Sequence, residues 1–103
     1  MKYVVSWTFR SFGSVAEQEA ATDRLLNVYS KWKPPKSVMY HQFLGRVDGR
    51  GGYQVVETDS PADLAETIGK FSQFADFQIE PVLDVADAVK AAQAGIKFRK
   101  STG

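Results

Sequence analysis

His41, the only histidine in the chain, and Glu57 are the residues whose types best suit proton transfer. An imidazole titrates near pH 6.5 and can act as general acid or base. A neighbouring carboxylate orients it and raises its pKa. The two residues lie on either side of the stretch Gly45-Arg46-Val47-Asp48-Gly49-Arg50-Gly51-Gly52, so the register of a hairpin decides whether they meet. A two-residue turn at Asp48-Gly49 pairs Val47 with Arg50, His41 with Val56 and Tyr40 with Glu57. A three-residue loop over Asp48 to Arg50 pairs Val47 with Gly51 and places His41 beside Glu57. The Asp-Gly dipeptide favours the first, Gly51-Gly52 leaves room for a bulge, and a slip of one residue exchanges the faces. Without the carboxylate, His41 reads as a half-buried strand residue and nothing more. Glu57 alone reads as a strand-end carboxylate, solvated or paired with Arg10 or Arg46.

Other stretches that suggest chemistry have plainer readings. The glycines at 45, 49, 51 and 52 lack the Lys-Ser/Thr of a phosphate loop, and a strand follows them where a dinucleotide fingerprint needs a helix. Asp48, Asp59 and Asp63 have no metal-ligand spacing. Lys31-Trp32-Lys33-Pro34-Pro35-Lys36 mixes cations with an aromatic, as single-strand sites do. Lysines at a helix end are accounted for by the helix dipole, and Trp32 continues an apolar helical face. Phe71, Phe74 and Phe77 can wall a pocket or close a core, and core closure is the simpler role. Ser6 and Thr8 have no Ser–His–Asp pattern around them.

The elements that must position these residues follow from periodicity and end signals. Lys2 to Thr8 is β-branched and aromatic and predicts a strand. Ser14-Val15-Ala16-Glu17 is a capping box, opening a helix with Ala21, Leu25, Val28, Tyr29 and Trp32 on one face. Pro34-Pro35 ends it. Strands are predicted over Val38 to Arg46 and Tyr53 to Thr58. Ser60-Pro61 starts a second helix, with Leu64, Ile68 and Phe71 inward. Asp76 to Val82 reads as a fourth strand, where Pro81 suggests a strand end or an edge. Asp84 caps a last helix with Val85, Val89, Ala92 and Ile96 on one face. The order βαββαβα is an α+β, ferredoxin-like βαββαβ fold, an antiparallel four-stranded sheet plus a C-terminal helix.

The 103 residues make one domain, 1–103, in which the basic tail 97–103 is expected to fray. Thirteen basic and twelve acidic residues leave a net charge of +1, so bulk charge does not point to nucleic acid. There are no cysteines, hence no disulfide and no thiol nucleophile. No apolar run suits a signal peptide or a membrane span, and a cytoplasmic protein is expected. Val4-Val5, Phe43-Leu44 and Val55-Val56 break the alternation of a sheet with one wet face. Helices can cover one apolar face, and a homodimer packing two sheets face to face would cover the other.

The segments MKYVVSWTFR, SKWKPP, HQFLGRVDGRGG, VVETDSPADL and DVADAVKAAQAGIKFR resemble, in order, a bacterial family known as domain of unknown function 3303. That family is similar to the dimeric α/β-barrel superfamily, which implies two ferredoxin-like sheets around a cavity but supplies no catalytic residues. Relatives in the superfamily include cofactor-independent monooxygenases, haem-degrading enzymes, cyclases and stress-induced proteins. The haem-degrading members use a histidine on a helix, whereas His41 lies in a strand, so no haem, other cofactor or metal is expected. Ser6, Trp7 and Thr8 resemble cavity-facing positions. The resulting expectation is a dimer binding a small apolar or aromatic molecule in a sheet-lined cavity, with Trp7, Tyr40, His41 and Glu57 around it. The alternatives are a monooxygenase- or cyclase-like enzyme using His41 and Glu57, and a structural or stress-related dimeric module.

Overall fold

Three antiparallel ladders build the sheet in the computed structural model, which describes residues 1–103. The elements are β1 (Lys2–Phe9), α1 (Val15–Lys31), β2 (Val38–Gly45), β3 (Gly51–Thr58), α2 (Pro61–Phe71), β4 (Ala75–Val82) and α3 (Val85–Thr102). The strand order is β2-β3-β1-β4, with β1 paired to both β3 and β4. This is the α+β, ferredoxin-like arrangement that the order of elements predicts.

Local signals explain most of the boundaries. The Ser14 hydroxyl accepts the Glu17 amide at 3.2 Å and caps α1. The Glu17 carboxylate accepts from the Ser14 hydroxyl instead of its amide, so the capping box closes in only one direction. Pro61 occupies the first turn of α2, where its missing N–H costs nothing. Asp84 stands at the N-cap of α3 but makes no cap bond through its side chain. Its carboxylate accepts from Lys2 Nζ at 2.8 Å instead. The helix α3 continues through Gly95 and the basic residues to Thr102, across the segment whose composition suggests fraying.

Strand alternation sorts the sheet residues onto two faces. Tyr3, Val5 and Trp7 of β1, Val38, Tyr40 and Phe43 of β2, and Val56 of β3 face α1 and α2. Val5, Val38, Val56 and Leu64 form the buried core, with Tyr3, Tyr40, Ile68 and Phe77 packed against it. The opposite face carries Val4, Val55, Leu44, Tyr53 and Met39, and no element of the chain covers it. Leu44, Tyr53 and Met39 are 49%, 47% and 60% exposed. The doubled apolar positions therefore put apolar residues on both faces, and on the uncovered one they form a patch among Lys2, Ser6, Thr8, Gln42, Glu57, Asp76, Gln78 and Glu80.

The hairpin between β2 and β3 differs from the two-residue turn that Asp48-Gly49 predicts. The Arg46 amide donates to the Gly51 carbonyl, and the Gly49 amide donates to the Arg46 carbonyl. The loop is thus four residues long, Val47 to Arg50, with Gly49 in the left-handed region at φ 73°. The Asp48 carboxylate accepts the Arg50 amide and pairs with Arg46. The ladder keeps the register of the two-residue turn, with Gly45 opposite Gly52 and Phe43 opposite Gln54.

Gly51 and Gly52 belong to β3 and not to the turn. A Cβ on Gly52 would collide with the Leu44 carbonyl and the Trp7 indole, whereas one on Gly45 meets nothing within 4 Å. The bare backbone at Gly52 is the seat on which the Trp7 ring lies. Gly52→Ala is expected to lower stability by about 1–3 kcal/mol through overpacking. Gly45→Ala should stay within about 0.5 kcal/mol of the parent. Urea unfolding midpoints of the two variants check this, and equal midpoints would contradict it.

Candidate functional site

A bulge in β2 brings His41 and Glu57 together. Between Tyr40 and Gln42 the ladder shifts by one residue, which leaves His41 without a paired residue on β3. Released from the ladder, the imidazole reaches diagonally, and its Nε2 lies 2.8 Å from Glu57 Oε1. The two-residue-turn register would set His41 against Val56, yet the contact forms because the extra residue sits in β2. Glu57 pairs with neither Arg10 nor Arg46. Arg10 is held by Asp76 at 2.9 Å, and Arg46 by Asp48.

The pair lies at one end of the uncovered sheet face, in a row of charges. Lys2 of β1 is the strand partner of Glu57 and is hydrogen-bonded to Asp84. The hydrogen bond from His41, with the Lys2 and N-terminal charges nearby, holds the Glu57 carboxyl below its usual range. The Lys2 hydrogen bond and charge lower Asp84, and Asp84 in turn raises Lys2. His41 and Glu57 remain 36% and 45% exposed. No group of three or more His, Cys, Asp and Glu side chains gathers to hold a metal ion.

Trp7 and Tyr40 lie on the other side of the sheet, so the four candidate residues are split between two faces. Ser6 and Thr8 share the uncovered face, while Trp7 points between the helices. There it lines a half-open cavity of about 210 Å³ between the sheet and helices α1 and α2. The wall is mostly aromatic: Trp7, Tyr29, Trp32, Phe43, Phe71 and Phe77. Trp32 is its hub, with ring centroids 5.7 Å from Phe71, 6.0 Å from Tyr29 and 6.3 Å from Phe43. Gln54 and Thr67 are the polar residues of the lining. Phe71, Phe74 and Phe77 therefore wall a cavity in addition to closing the core.

Two polar atoms near this cavity lack partners. The Trp32 indole Nε1–H and the Tyr40 hydroxyl are shielded from solvent and make no hydrogen bond. Tyr40 stands behind Trp32, with ring centroids 5.7 Å apart and nearly perpendicular. Burial pushes its phenol above the usual range, and the Thr67 side chain offsets part of that rise without closing a hydrogen bond to it. Each such orphaned group costs on the order of 1–3 kcal/mol. Sequence reasoning missed Trp32, Phe71 and Thr67 as site residues. The signal was the dense aromatic spacing from Tyr29 to Phe43, which reads equally well as core.

The profile of the family described as Domain of unknown function (DUF3303) matches residues 1–96. The chain belongs to this family. No match is found among the curated proteins. Nearly all of this DUF3303 chain is covered, including the bulged hairpin, the aromatic cavity and most of α3. No helix of it is long and apolar enough to cross a membrane.

The lowered Glu57 sets a direction for pH dependence. A carboxylate depressed in the folded state adds stability above its unfolded pKa, and that stability is lost as pH falls through the folded value. Glu57→Gln should therefore lower the melting temperature slightly at pH 7. The gap should narrow below about pH 4.3, the ordinary glutamate value, and close in more acid solution. Thermal melts of both proteins from neutral to acid pH measure this, and a gap that widens on acidification would contradict it.

Proposed function

We propose that this DUF3303 protein binds a small apolar or aromatic molecule in the cavity between the sheet and helices α1 and α2. The observation that carries the reading is an aromatic cavity lined by Trp7, Tyr29, Trp32, Phe43, Phe71 and Phe77 with no charged side chain among its walls. Its volume is about 210 Å³, and an apolar cavity of about 150 Å³ is enough to hold benzene. One or two fused rings suit it. The absence of charged lining groups favours a neutral body, while Gln54 and Thr67 offer polar contacts for one oxygen or nitrogen. The cavity adjoins a wider depression that shares Phe9, Leu25 and Phe74 and carries Arg10 and Arg50. Phe9, Tyr29 and Phe43 are 38%, 50% and 43% exposed and form the mouth.

The same reading includes a homodimer through the uncovered sheet face. Its support is the apolar row of Val4, Val55, Leu44 and Tyr53, which nothing in one chain shields. The His41–Glu57 pair would then lie at the rim of that contact. A second function, as an acid–base enzyme using this pair, lacks a cavity beside His41, so binding is the better-supported reading.

2-Naphthol is a suitable probe, because it joins two rings to one hydroxyl. At a hundredfold excess over its dissociation constant it should stabilise the fold by about 2.7 kcal/mol and change tryptophan fluorescence. Leu25→Trp places an indole in the cavity and should abolish both effects while the protein stays folded. The proposal fails if 2-naphthol and naphthalene leave the melting temperature unchanged, or if Leu25→Trp binds them as the parent does.

A further inference from the structure

The helix α3 has no partner in its own chain. Every residue from Val85 to Thr102 is exposed except Gly95, which is half-exposed, and none is buried. The radius of gyration is 18.4 Å and the longest dimension 64 Å, whereas a compact domain of this length has a radius near 13 Å. A helix of about 27 Å standing off the sheet accounts for the elongation. Isolated helices of this length are marginal in water, so an apolar stripe on one calls for a cover.

That stripe has a heptad spacing. Val85, Val89, Ala92 and Ile96 follow one another at steps of four, three and four residues, the spacing of a seam between two helices. Val85, Val89 and Ile96 are 78%, 48% and 44% exposed, and Leu83 and Phe98 beyond the ends are 61% and 68% exposed. The residues flanking the seam are Ala86, Ala88, Gln93 and Gly95, mostly small enough for close approach. Charge is distributed by end: Asp84 and Asp87 at the start, Lys97, Arg99 and Lys100 at the finish.

We infer that α3 pairs antiparallel with α3 of a second copy of this chain. This rests on the reading that the protein works as a homodimer, and it names a contact separate from the sheet face. Antiparallel pairing centred between Lys90 and Ala91 sets Val85 opposite Ile96 and Val89 opposite Ala92. It brings the acidic start of each helix to the basic finish of the other and opposes their dipoles. Parallel pairing would bring like charges together. The exposed area supports a copy as the occupant. The chain exposes 7628 Å², whereas a folded monomer of 11.4 kDa exposes about 5,800 Å². The surplus of about 1,800 Å² exceeds the roughly 800 Å² per partner of a standard interface.

The chain has no cysteine, so Ser101→Cys gives a single site for a spin label. Pulsed dipolar spectroscopy on the pure labelled protein should find an inter-chain distance of about 30 Å for antiparallel helices, from the rise of 1.5 Å per residue. A distance near 10 Å, the separation of adjacent helix axes, would indicate parallel pairing and overturn the inference. Absence of dipolar modulation would overturn it too, as would a distance well away from 30 Å, the result expected if the copies meet through the sheet face with their α3 helices apart. Independently, Val89→Asp with Ile96→Asp should weaken dimerisation at least tenfold by sedimentation, with the helical circular dichroism of the protomer retained. Leu44→Asp probes the sheet face. A dimer kept by the α3 double variant but lost in Leu44→Asp overturns the α3 pairing and leaves the sheet-face contact standing. The reverse pattern upholds α3 and removes the sheet face.

Discussion

The four-stranded sheet carries apolar residues on both sides, and this chain supplies two helices that cover one side. Burying apolar area is the main favourable term in folding, so the uncovered side shapes everything else about the molecule. Inward, Val5, Val56 and the helix residue Leu64 make a core that only a few side chains fill completely. Outward, Val4 and Val55 sit in the middle of a surface shielded only by their strand neighbours. The helix that follows β4 does not return to close it. The structure is thus one protected layer, one bare layer and one extended helix.

The protected layer is also where packing is least complete. Trp7 lies flat against the sheet only because Gly52 has no side chain, and its edge contacts Phe43 at a centroid distance of 5.6 Å. Trp32, just beyond the end of α1, is half-buried against Tyr40 and Phe71. Flat rings meeting at steep angles leave gaps that branched aliphatic chains would fill. The cavity is the sum of those gaps, and the Trp32 indole N–H packed beside it makes no hydrogen bond within the chain. The bare layer has a different chemistry. Its charges satisfy one another, His41 with Glu57 and Lys2 with Asp84, so they fix geometry at one end of the sheet and leave the apolar centre uncovered.

Much of the architecture was legible in the sequence because its signals are local. Ser14 and Glu17 mark a helix start, Pro34-Pro35 a stop, and doubled valines apolar residues on both faces of the sheet. The bulge at His41 was not legible, because it needs no glycine and depends on how three strands align. Asp84 reads as a cap by its position, yet Lys2, at the other end of the sequence, takes its carboxylate. Phe71, Phe74 and Phe77 have the spacing of core residues, and only the backbone geometry shows that they stop short of filling the space. The apolar stripe of α3 was plain, but that it faces no part of its own chain is a tertiary fact.

The central claim, that the aromatic cavity under α1 and α2 receives a ligand, can be read from two nuclei. The chain has two tryptophans, so a nitrogen–proton correlation spectrum contains two indole signals. Titration with 2-naphthol should move the indole signals of Trp7 and Trp32 together by ring-current shifts, because both rings line the cavity. Saturation at the same concentration for both signals is the result this account predicts. Two indole signals that stay in place while shifts appear on Leu44, Tyr53 and Val55 would contradict it and move the site to the bare face of the sheet.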